Sequence, residues 1–260
     1  MNYKYITYIV NDRIAFVTLN RPEKKNALSF ELISELKVAL ADAEQSNDVK
    51  VVVLKANGNV FCAGADLEYL QQLQTNTFEE NLADSNHLRD LYKQIYYLNK
   101  IVIAQVNGHA IAGGCGLVSV CDFAYSAPDA NYGYSEVRIG FVPAIVMVFL
   151  IRKIGEARAK EMLISGMFIS AKEAKHMGLI SDVSESLEQL ENDVLIFAKK
   201  LCQSNSQFSM TTTKKMIGEV QNMDLDTALD YASRKNAEAR ASEDCKKGID
   251  NFLNKRKLEW

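Results

Sequence analysis

A glycine-rich stretch near the middle of the chain has the residue types needed to hold a negatively charged oxygen. Residues 107–117, Asn-Gly-His-Ala-Ile-Ala-Gly-Gly-Cys-Gly-Leu, follow the apolar run Ile101–Val106 and open a second apolar segment. Glycine leaves backbone N–H groups accessible, and a helix that starts at such a turn adds the field of its dipole. The pattern therefore predicts a strand, a tight turn and a helix start that together bind an anionic oxygen.

A second stretch of similar design lies upstream. Residues 56–66, Ala-Asn-Gly-Asn-Val-Phe-Cys-Ala-Gly-Ala-Asp, follow a β-branched run and end where leucines begin to recur at helical spacing. The order of strand, glycine-containing loop and helix start is the same as in the first stretch. It predicts a second set of accessible backbone donors.

Glu136 is the candidate acid or base. Its neighbours include Tyr132, Tyr134, Val137 and Ile139, and apolar surroundings would raise the pKa of its carboxyl group toward neutrality. The alternative is an exposed loop carboxylate, which is the commoner situation for a glutamate. Two N–H donors and one carboxylate are enough to form an enolate next to a carbonyl and to protonate it again.

Other site types fit the sequence poorly. Residues 114–116, Gly-Cys-Gly, begin a dinucleotide-binding fingerprint but lack its third glycine, and no P-loop occurs. Residues 133–137 approach a serine-nucleophile motif but have Val137 where the last glycine is required. Three scattered histidines and five cysteines without a C-x-x-C pair disfavour a metal site and a disulfide framework.

Composition argues against polyanionic partners. The chain has 260 residues and a formal net charge of −3, which gives no electrostatic basis for binding nucleic acid or an anionic membrane. The longest apolar runs, Ile101–Val106 and Phe141–Ile151, are far too short to span a bilayer. The N-terminal residues lack the apolar run of a signal peptide, so we expect a cytoplasmic protein.

Hydrophobic periodicity predicts strands and helices in alternation to about residue 195 and only helices beyond it. The predicted elements are a hairpin over 6–19 with its turn at 11–13, a helix capped by Ser29, a strand over 49–55, helical patterns from 67 and from 88, a strand over 122–127, a loop over 131–140, and helices over 143–153, 156–164 and 171–177. The polar residues 74–86 are expected to form a mobile segment. Residues 1–195 would form the core, and the amphipathic helices of 196–260 would cover that core or another subunit.

Taken together, these motifs resemble the enoyl-CoA hydratase/isomerase, or crotonase, superfamily. The matching segments, in family order and at family spacing, are Asn20-Arg21-Pro22 with Asn26-Ala27-Leu28, residues 61–67, Asn107-Gly108-His109-Ala110 with Gly113-Gly114, Cys121-Asp122, and Glu136 with Gly140 and Pro143. The resemblance covers nearly the whole chain. It implies an α/β fold, a crotonase-type spiral of β-β-α turns, with a C-terminal helical region that builds homotrimers or hexamers.

The resemblance also implies a substrate and a site. The substrate would be an acyl-CoA thioester, with no cofactor beyond the coenzyme A that the substrate carries. Ala65 and Gly113 would supply the backbone N–H groups of an oxyanion hole, and Glu136 would be the catalytic carboxylate. The implied substrate-binding residues are Ala63, Gly64, Asp66, Leu67, Glu68 and Gly116, with Lys24, Lys25 and the cluster Lys255-Arg256-Lys257 as candidates for the CoA phosphates.

At one position the chain departs from the family pattern. Hydratases of the family carry two glutamates, and this chain has Gly116 where the first would stand. A single carboxylate is enough to isomerise a 3-enoyl-CoA, whereas hydration usually employs two. However, residues 115–117 and 135–145 resemble the bacterial branch associated with methylglutaconyl-CoA and related branched substrates in leucine breakdown.

Three functions follow from this departure, in order of preference. Hydration of a 2-enoyl-CoA comes first and isomerisation second. The third is a non-catalytic scaffold that binds CoA or a protein partner. Because Gly116 stands where the family has glutamate, we also expect a larger pocket, which would suit a branched acyl group.

Overall fold

Two sheets form the centre of the molecule. The computed structural model describes residues 3–260, except for the side chain of Leu67. The six-stranded sheet has the order β1-β2-β3-β5-β7-β10 and the four-stranded sheet the order β4-β6-β8-β9. Their strands are β1 (Ile6–Asn11), β2 (Ile14–Leu19), β3 (Val51–Ala56), β4 (Val60–Cys62), β5 (Ile101–Val106), β6 (His109–Ile111), β7 (Phe123–Ser126), β8 (Asn131–Gly133), β9 (Phe168–Ser170) and β10 (Asp182–Val183).

Helices cover these sheets and form the whole C-terminal region. They are α1 (Phe30–Gln45), α2 (Leu67–Leu73), α3 (Phe78–Tyr97), α4 (Gly113–Val120), α5 (Ala144–Ile154), α6 (Glu156–Ser165), α7 (Ala171–Met177), α8 (Leu187–Ser204), α9 (Gln207–Val220), α10 (Leu225–Ala241) and α11 (Glu243–Leu253). Short 3₁₀ helices occur at Pro22–Lys24 and Glu136–Ile139. None of the helices within residues 3–260 has the length and apolar character needed to cross a membrane.

Local signals placed several elements correctly. The β1–β2 hairpin turns at Asp12 and Arg13, both with positive φ, as the two-residue turn of a twisted hairpin requires. The hydroxyl group of Ser29 accepts a hydrogen bond from the N–H group of Leu32 and so caps α1 as predicted. Both predictions are confirmed because each depends on a few adjacent residues.

The central strands β3 and β5 carry apolar residues on both faces of the sheet. β3 and β5 pair in parallel, from Val51 opposite Ile101 to Leu54 opposite Ala104, and these residues are buried. A parallel sheet covered on both faces produces continuous apolar runs rather than alternation. The chain therefore leaves β3 and β5 at the same edge of the sheet, where both glycine-containing loops begin.

Most of the segment 74–86, whose polar sequence predicted no helix, is helical; its mobility stays a prediction. Helix α3 begins at Phe78, and Thr77 and Glu80 form a capping box in which each side chain accepts a hydrogen bond from the backbone of the other. The first half of the helix lies at the surface, so its sequence lacks an apolar stripe. Helical structure there depends on the cap and on the buried second half, which contains Leu91, Tyr92 and Ile95.

The C-terminal helices divide into two kinds. Helix α8 packs on the six-stranded sheet through Leu190, Val194 and Ala198, and it continues without a break through residue 195. Helices α10 and α11, by contrast, have no buried residue. The division into 1–195 and 196–260 stays a prediction. The helices that bury no residue against the rest of the chain begin with α10.

Candidate active site

The loop before α2 is fixed by backbone hydrogen bonds that leave one donor unused. The N–H group of Leu28 donates to Gly64 at 2.7 Å, and that of Asp66 donates to the carbonyl oxygen of Leu28 at 3.0 Å. Ala65 lies between these two bonds and is exposed. Its N–H group has no acceptor within residues 3–260. The loop thus leaves the Ala65 N–H group available to a ligand, and its role as an oxyanion donor stays a prediction.

Asp66 holds this loop together. Its carboxylate accepts hydrogen bonds from the N–H groups of Glu68 and Tyr69 and forms an ion pair with Arg21 at 2.8 Å. Burial would raise the pKa of Asp66, but the Tyr69 N–H group and the Arg21 guanidinium outweigh it and hold the pKa below its usual value. These contacts give Asp66 a structural role at the start of α2.

The other residues predicted to bind substrate here lie around the same loop. The N–H group of Ala63 donates to the carbonyl oxygen of Lys25 at 3.1 Å. Lys24 forms an exposed ion pair with Glu68 at 2.7 Å. The side chain of Leu67 lies outside the described part of the structure. The lysines therefore border the loop on its solvent side, while the far cluster at 255–257 follows the end of α11.

The second loop turns sharply into α4. Ala112 caps the helix with φ 51° and ψ −122°, and it donates its N–H group to the carbonyl oxygen of Gly133 at 2.8 Å. A positive φ at alanine costs about 1–3 kcal/mol and persists only where the surroundings enforce it. Gly113 follows as the first residue of α4, and its N–H group has no acceptor among the described residues. The helix dipole favours an anion at this point.

The two loops touch each other. Gly64 has φ 92°, and a Cβ atom placed on it would lie 2.8 Å from the Cβ atom of Ala112 and 3.4 Å from the nitrogen atom of Gly113. Only glycine fits such a contact with such a backbone angle. The structure therefore brings the residue next to Ala65 against Gly113, although the two lie almost fifty positions apart in the sequence.

Strand pairing carries Glu136 to the same place. β8 pairs in parallel with β6, Ile111 lying opposite Gly133, so the 3₁₀ helix that begins at Glu136 follows beside the start of α4. The Oε2 atom of Glu136 is buried and has no hydrogen-bond partner in the described structure. Burial raises the pKa of Glu136, as the apolar neighbours predicted. An unpartnered carboxylate with a raised pKa is suited to exchanging protons with a ligand.

Gly116 does not open the expected space. A Cβ atom at this position would lie 2.5 Å from Cγ1 of Val146 and 2.9 Å from the hydroxyl oxygen of Tyr92. Gly116 itself is buried. The predicted enlargement of the pocket is wrong because these two side chains already occupy the volume that a larger residue would need.

Tyr92 also borders the site, although its sequence context does not indicate this. It lies on α3, is fully buried and donates its hydroxyl hydrogen to the carbonyl oxygen of Gly113 at 2.8 Å. Its spacing from Leu88 and Ile95 is that of a helix buried on one face, which indicates a core residue. Only the folded structure places its hydroxyl group next to the turn.

No metal centre is evident in the described chain. Residues 3–260 contain no group of three or more His, Cys, Asp or Glu side chains placed to hold an ion. The Nδ1 atom of His109 accepts a hydrogen bond from the N–H group of Asn131, and His87 stacks on Phe30 with ring centroids 4.1 Å apart. These two histidines therefore have structural partners.

Comparison with known proteins decides the family. The profile of the enoyl-CoA hydratase/isomerase family matches residues 10–260. The chain belongs to this family. A relative from Thermus thermophilus with a provisional enoyl-CoA hydratase name is 39% identical over 246 residues, which cover 94% of this chain and 95% of the relative. The short-chain-enoyl-CoA hydratase of Clostridium acetobutylicum is 32% identical, with 95% of this chain and 94% of the relative covered.

Solved structures agree with this placement. An enoyl-CoA hydratase from Mycobacterium smegmatis superposes with a TM-score of 0.92 at 29% identity and covers 99% of both chains. The predicted crotonase-type α/β fold is confirmed. This member of the hydratase/isomerase family is accordingly an enzyme of that type, acting on acyl-CoA.

Proposed function

We propose that this enzyme adds water across the double bond of a 2-enoyl-CoA, with Glu136 as its single catalytic carboxylate. The observation that carries the proposal is the buried, unpartnered Oε2 atom of Glu136 beside a helix start with a free N–H group. The crotonyl-CoA hydratase of Syntrophomonas wolfei, 31% identical over 262 residues, supports hydration of a short chain.

The reaction follows from this arrangement. Glu136 takes a proton from a water molecule, whose oxygen bonds to the β-carbon of the enoyl group. The π electrons move toward the thioester, and the N–H groups of Ala65 and Gly113 stabilise the negative oxygen of the enolate. The protonated Glu136 then gives its proton to the α-carbon. One carboxyl group thus removes and returns a proton, and the elements of water add to the same face.

Isomerisation of a 3-enoyl-CoA is the second candidate, and Gly116 is the observation in its favour. The position that would carry a second glutamate has no side chain, and its surroundings are filled by Tyr92 and Val146. One carboxylate could take a proton from the α-carbon, which gives a dienolate held by the same N–H groups, and return it to the γ-carbon, so that the double bond moves into conjugation. A branched substrate such as 3-methylglutaconyl-CoA has support only from the branch resemblance, because Gly116 leaves no extra room.

The coenzyme A moiety would lie along the loop of residues 63–68. Lys24 is paired with Glu68, whereas the Lys25 ammonium has no acceptor within the described residues and is the better candidate for a phosphate. The cluster at 255–257 is a further candidate. Its Arg256 pairs with Asp250 and its Lys257 with Glu259.

The exposed apolar residues of α10 and α11 support a homotrimer or hexamer. Leu225, Leu229, Ile249 and Phe252 are each more than half exposed in the single chain. Such a surface normally marks a protein contact. Light scattering after size exclusion would test this proposal, and a monomer at micromolar concentration would contradict it. Cytoplasmic location and a lack of nucleic-acid or membrane partners stay predictions.

A substrate panel in deuterated water tests the reaction. Purified enzyme would be given crotonyl-CoA, 3-methylglutaconyl-CoA and a 3-enoyl-CoA. We expect a 3-hydroxyacyl product with deuterium on the α-carbon. A conjugated product from the 3-enoyl-CoA, without hydration of the others, would instead establish the isomerase. If none of the three compounds reacts but CoA still binds, both proposed reactions are wrong for this enzyme.

A further inference from the structure

Tyr92 has one hydrogen bond in the described structure, and that bond goes to the turn of the proposed oxyanion hole. The side chain is fully buried, and its hydroxyl group donates to the carbonyl oxygen of Gly113 at 2.8 Å. A buried hydroxyl group without a partner is costly, so this bond fixes both groups. A tyrosine on α3 thus holds the first residue of α4.

Packing holds the Tyr92 ring in place. The ring of Phe149 meets it edge to face, with centroids 6.1 Å apart. Its hydroxyl end lies in the space beside Gly116, 2.9 Å from where a Cβ atom of that residue would be, and Val146 closes the same space. The absence of a side chain at Gly116 therefore gives the hydroxyl group room to reach Gly113.

The turn needs such support. Gly113 has no side chain to restrict its φ and ψ angles, and the preceding Ala112 is held at φ 51°. Ala112 is restrained by two backbone hydrogen bonds, from its N–H group to the carbonyl oxygen of Gly133 at 2.8 Å and from the N–H group of Gly116 to its own carbonyl oxygen at 3.0 Å. An oxyanion donor must be held within about 0.5 Å of its productive position, and a misplacement of about 1 Å can cost on the order of 100-fold in rate.

We propose that Tyr92 is a positioning residue of the oxyanion hole, which holds Gly113 so that its N–H group points at the thioester oxygen. This inference rests on the proposed function, because the N–H group of Gly113 has a task only if a carbonyl oxygen binds there. It also gives Gly116 a purpose other than a wider pocket. The glycine admits the phenol that supports the turn.

The phenol stays protonated, as a donor must. Burial raises the pKa of Tyr92 well above its ordinary value, and the nearby Cys62, Glu136 and Cys115 raise it further. Tyr92 therefore remains a hydrogen-bond donor to Gly113 while Glu136 changes its protonation state.

The test compares Tyr92→Phe with Tyr132→Phe. Tyr132 is also fully buried, and its hydroxyl group donates to Ser126 at 2.7 Å, so each variant loses one buried hydrogen bond. The melting temperatures of both should fall by similar amounts. We expect Tyr92→Phe to lower kcat by about 10-fold or more with a smaller change in KM, since it weakens one oxyanion donor. Tyr132→Phe should leave kcat unchanged.

A spectroscopic measurement separates positioning from a general loss of structure. Butyryl-CoA labelled at the thioester carbonyl has no double bond to hydrate, and its carbonyl stretch moves to lower frequency when N–H groups polarise it. We expect a clear shift on binding to the wild type and to Tyr132→Phe, and a smaller one with Tyr92→Phe. An undiminished shift and full kcat in Tyr92→Phe would overturn the proposal for Tyr92 alone.

The proposed function has its own outcome in the same experiment. If butyryl-CoA binds to the wild type without any carbonyl shift, or fails to bind at millimolar concentration, the oxyanion hole itself is wrong and Tyr92 has nothing to position. If the shift is present but no enoyl-CoA reacts, the proposed reaction is wrong. The comparison of carbonyl shifts would then still decide the role of Tyr92.

Discussion

Two carboxylates lie near opposite ends of α4, and they differ in their partners. Asp122, just beyond the carboxyl end, accepts hydrogen bonds from the N–H group of Val102 at 2.7 Å and from the Lys214 ammonium at 2.8 Å. Glu136, beside the amino end, has a buried oxygen without a partner. Burial raises the pKa of both carboxyl groups. A raised pKa alone therefore does not distinguish the acid that holds the fold from the acid available to a ligand.

Cavity size points to the end of α4 opposite to the proposed site. A cavity of about 820 Å³ lies beside Asp122, Lys153 and Lys214, and its lining does not include Ala65, Gly113 or Glu136. Large pockets are the default place to seek an active site. Here the charged side chains are already paired: Asp122 with Lys214, Lys153 and Lys214 with backbone carbonyl oxygens, and Arg152 with the side-chain amides of Gln221 and Asn222. The unused hydrogen-bonding groups are found beside the other end of α4.

The largest expected effect comes from Glu136→Gln. The amide keeps the size of the side chain but cannot take a proton from water, so kcat should fall by about 100-fold or more. Steady-state kinetics on the best substrate of the panel would measure this loss, and binding of butyryl-CoA should be retained. Full activity in this variant would remove Glu136 from the mechanism and with it the contrast between the two acids.

Asp122→Ala should show the opposite pattern. The change leaves the Val102 N–H group without its acceptor and the Lys214 ammonium buried without its ionic partner, so the free energy of unfolding should fall by about 3 kcal/mol. The folded fraction should keep its kcat. Urea unfolding would measure the stability, with Asp182→Ala as the control, because that change breaks the exposed Lys175–Asp182 pair and should cost about 1 kcal/mol or less. A loss of kcat without a loss of stability would assign catalysis to Asp122.

Gly116→Ala tests whether the space beside the amino end of α4 is filled. The new methyl group would meet Val146 and Tyr92 at distances too short for carbon contacts. Overpacking costs about 1–3 kcal/mol, and the better helix propensity of alanine returns up to about 1 kcal/mol, so a net loss of about 1–2 kcal/mol is expected. The double variant with Val146→Ala should recover part of it.

Gly248→Ala is the matched control for that substitution. Gly248 lies in α11, where a Cβ atom would make only ordinary contacts with Trp260 at 3.6 Å. The change should therefore be neutral or stabilising, by up to about 1 kcal/mol. If Gly116→Ala behaved like this control, the volume beside Gly116 would be open, and the argument for a wider acyl pocket would return.

The parts of the fold that local chemistry determines could be predicted from the sequence. The Asp12-Arg13 turn and the Ser29 cap each involve at most four consecutive residues. Helix α3 shows the limit, because half of it is held by a cap in a polar segment and by contacts made elsewhere along the helix. Hydrophobic periodicity cannot reveal a helical segment that is exposed on all sides, because no apolar stripe is needed there.

The candidate site divides in the same way. The two glycine-containing loops and Glu136 could be found because backbone donors require glycine and because apolar neighbours raise the pKa of a carboxyl group. Tyr92 could not, since its partner Gly113 lies 21 residues away and its helical spacing predicts a core residue. The contents of the space beside Gly116 could not be predicted either, because they depend on how α3, α4 and α5 pack together.

The smallest predicted effect concerns the stability of Glu136→Gln as a function of pH. Burial raises the folded-state pKa of Glu136 above its ordinary value of 4.5. Below that value the carboxyl group is protonated in both the folded and the unfolded chain, so the substitution should change stability little. As the pH rises through the folded pKa, the unfolded carboxyl group ionises more readily than the folded one, and the wild type loses stability relative to the variant.

Glu136→Gln should therefore melt at the same temperature as the wild type near about pH 4 and at a higher temperature near about pH 7. Because Glu136 is partly exposed and solvent screens its charge, the gain should stay below about 1 kcal/mol. Calorimetry at both pH values would measure it. Asp122→Ala should be less stable than the wild type at neutral pH, because it removes the acceptor of two hydrogen bonds. Opposite signs for the two variants would therefore separate the unpartnered acid from the paired one. The opposite result would be a wild type that becomes more stable than Glu136→Gln as the pH rises. It would show that the fold supplies the Glu136 carboxylate with a stabilising partner.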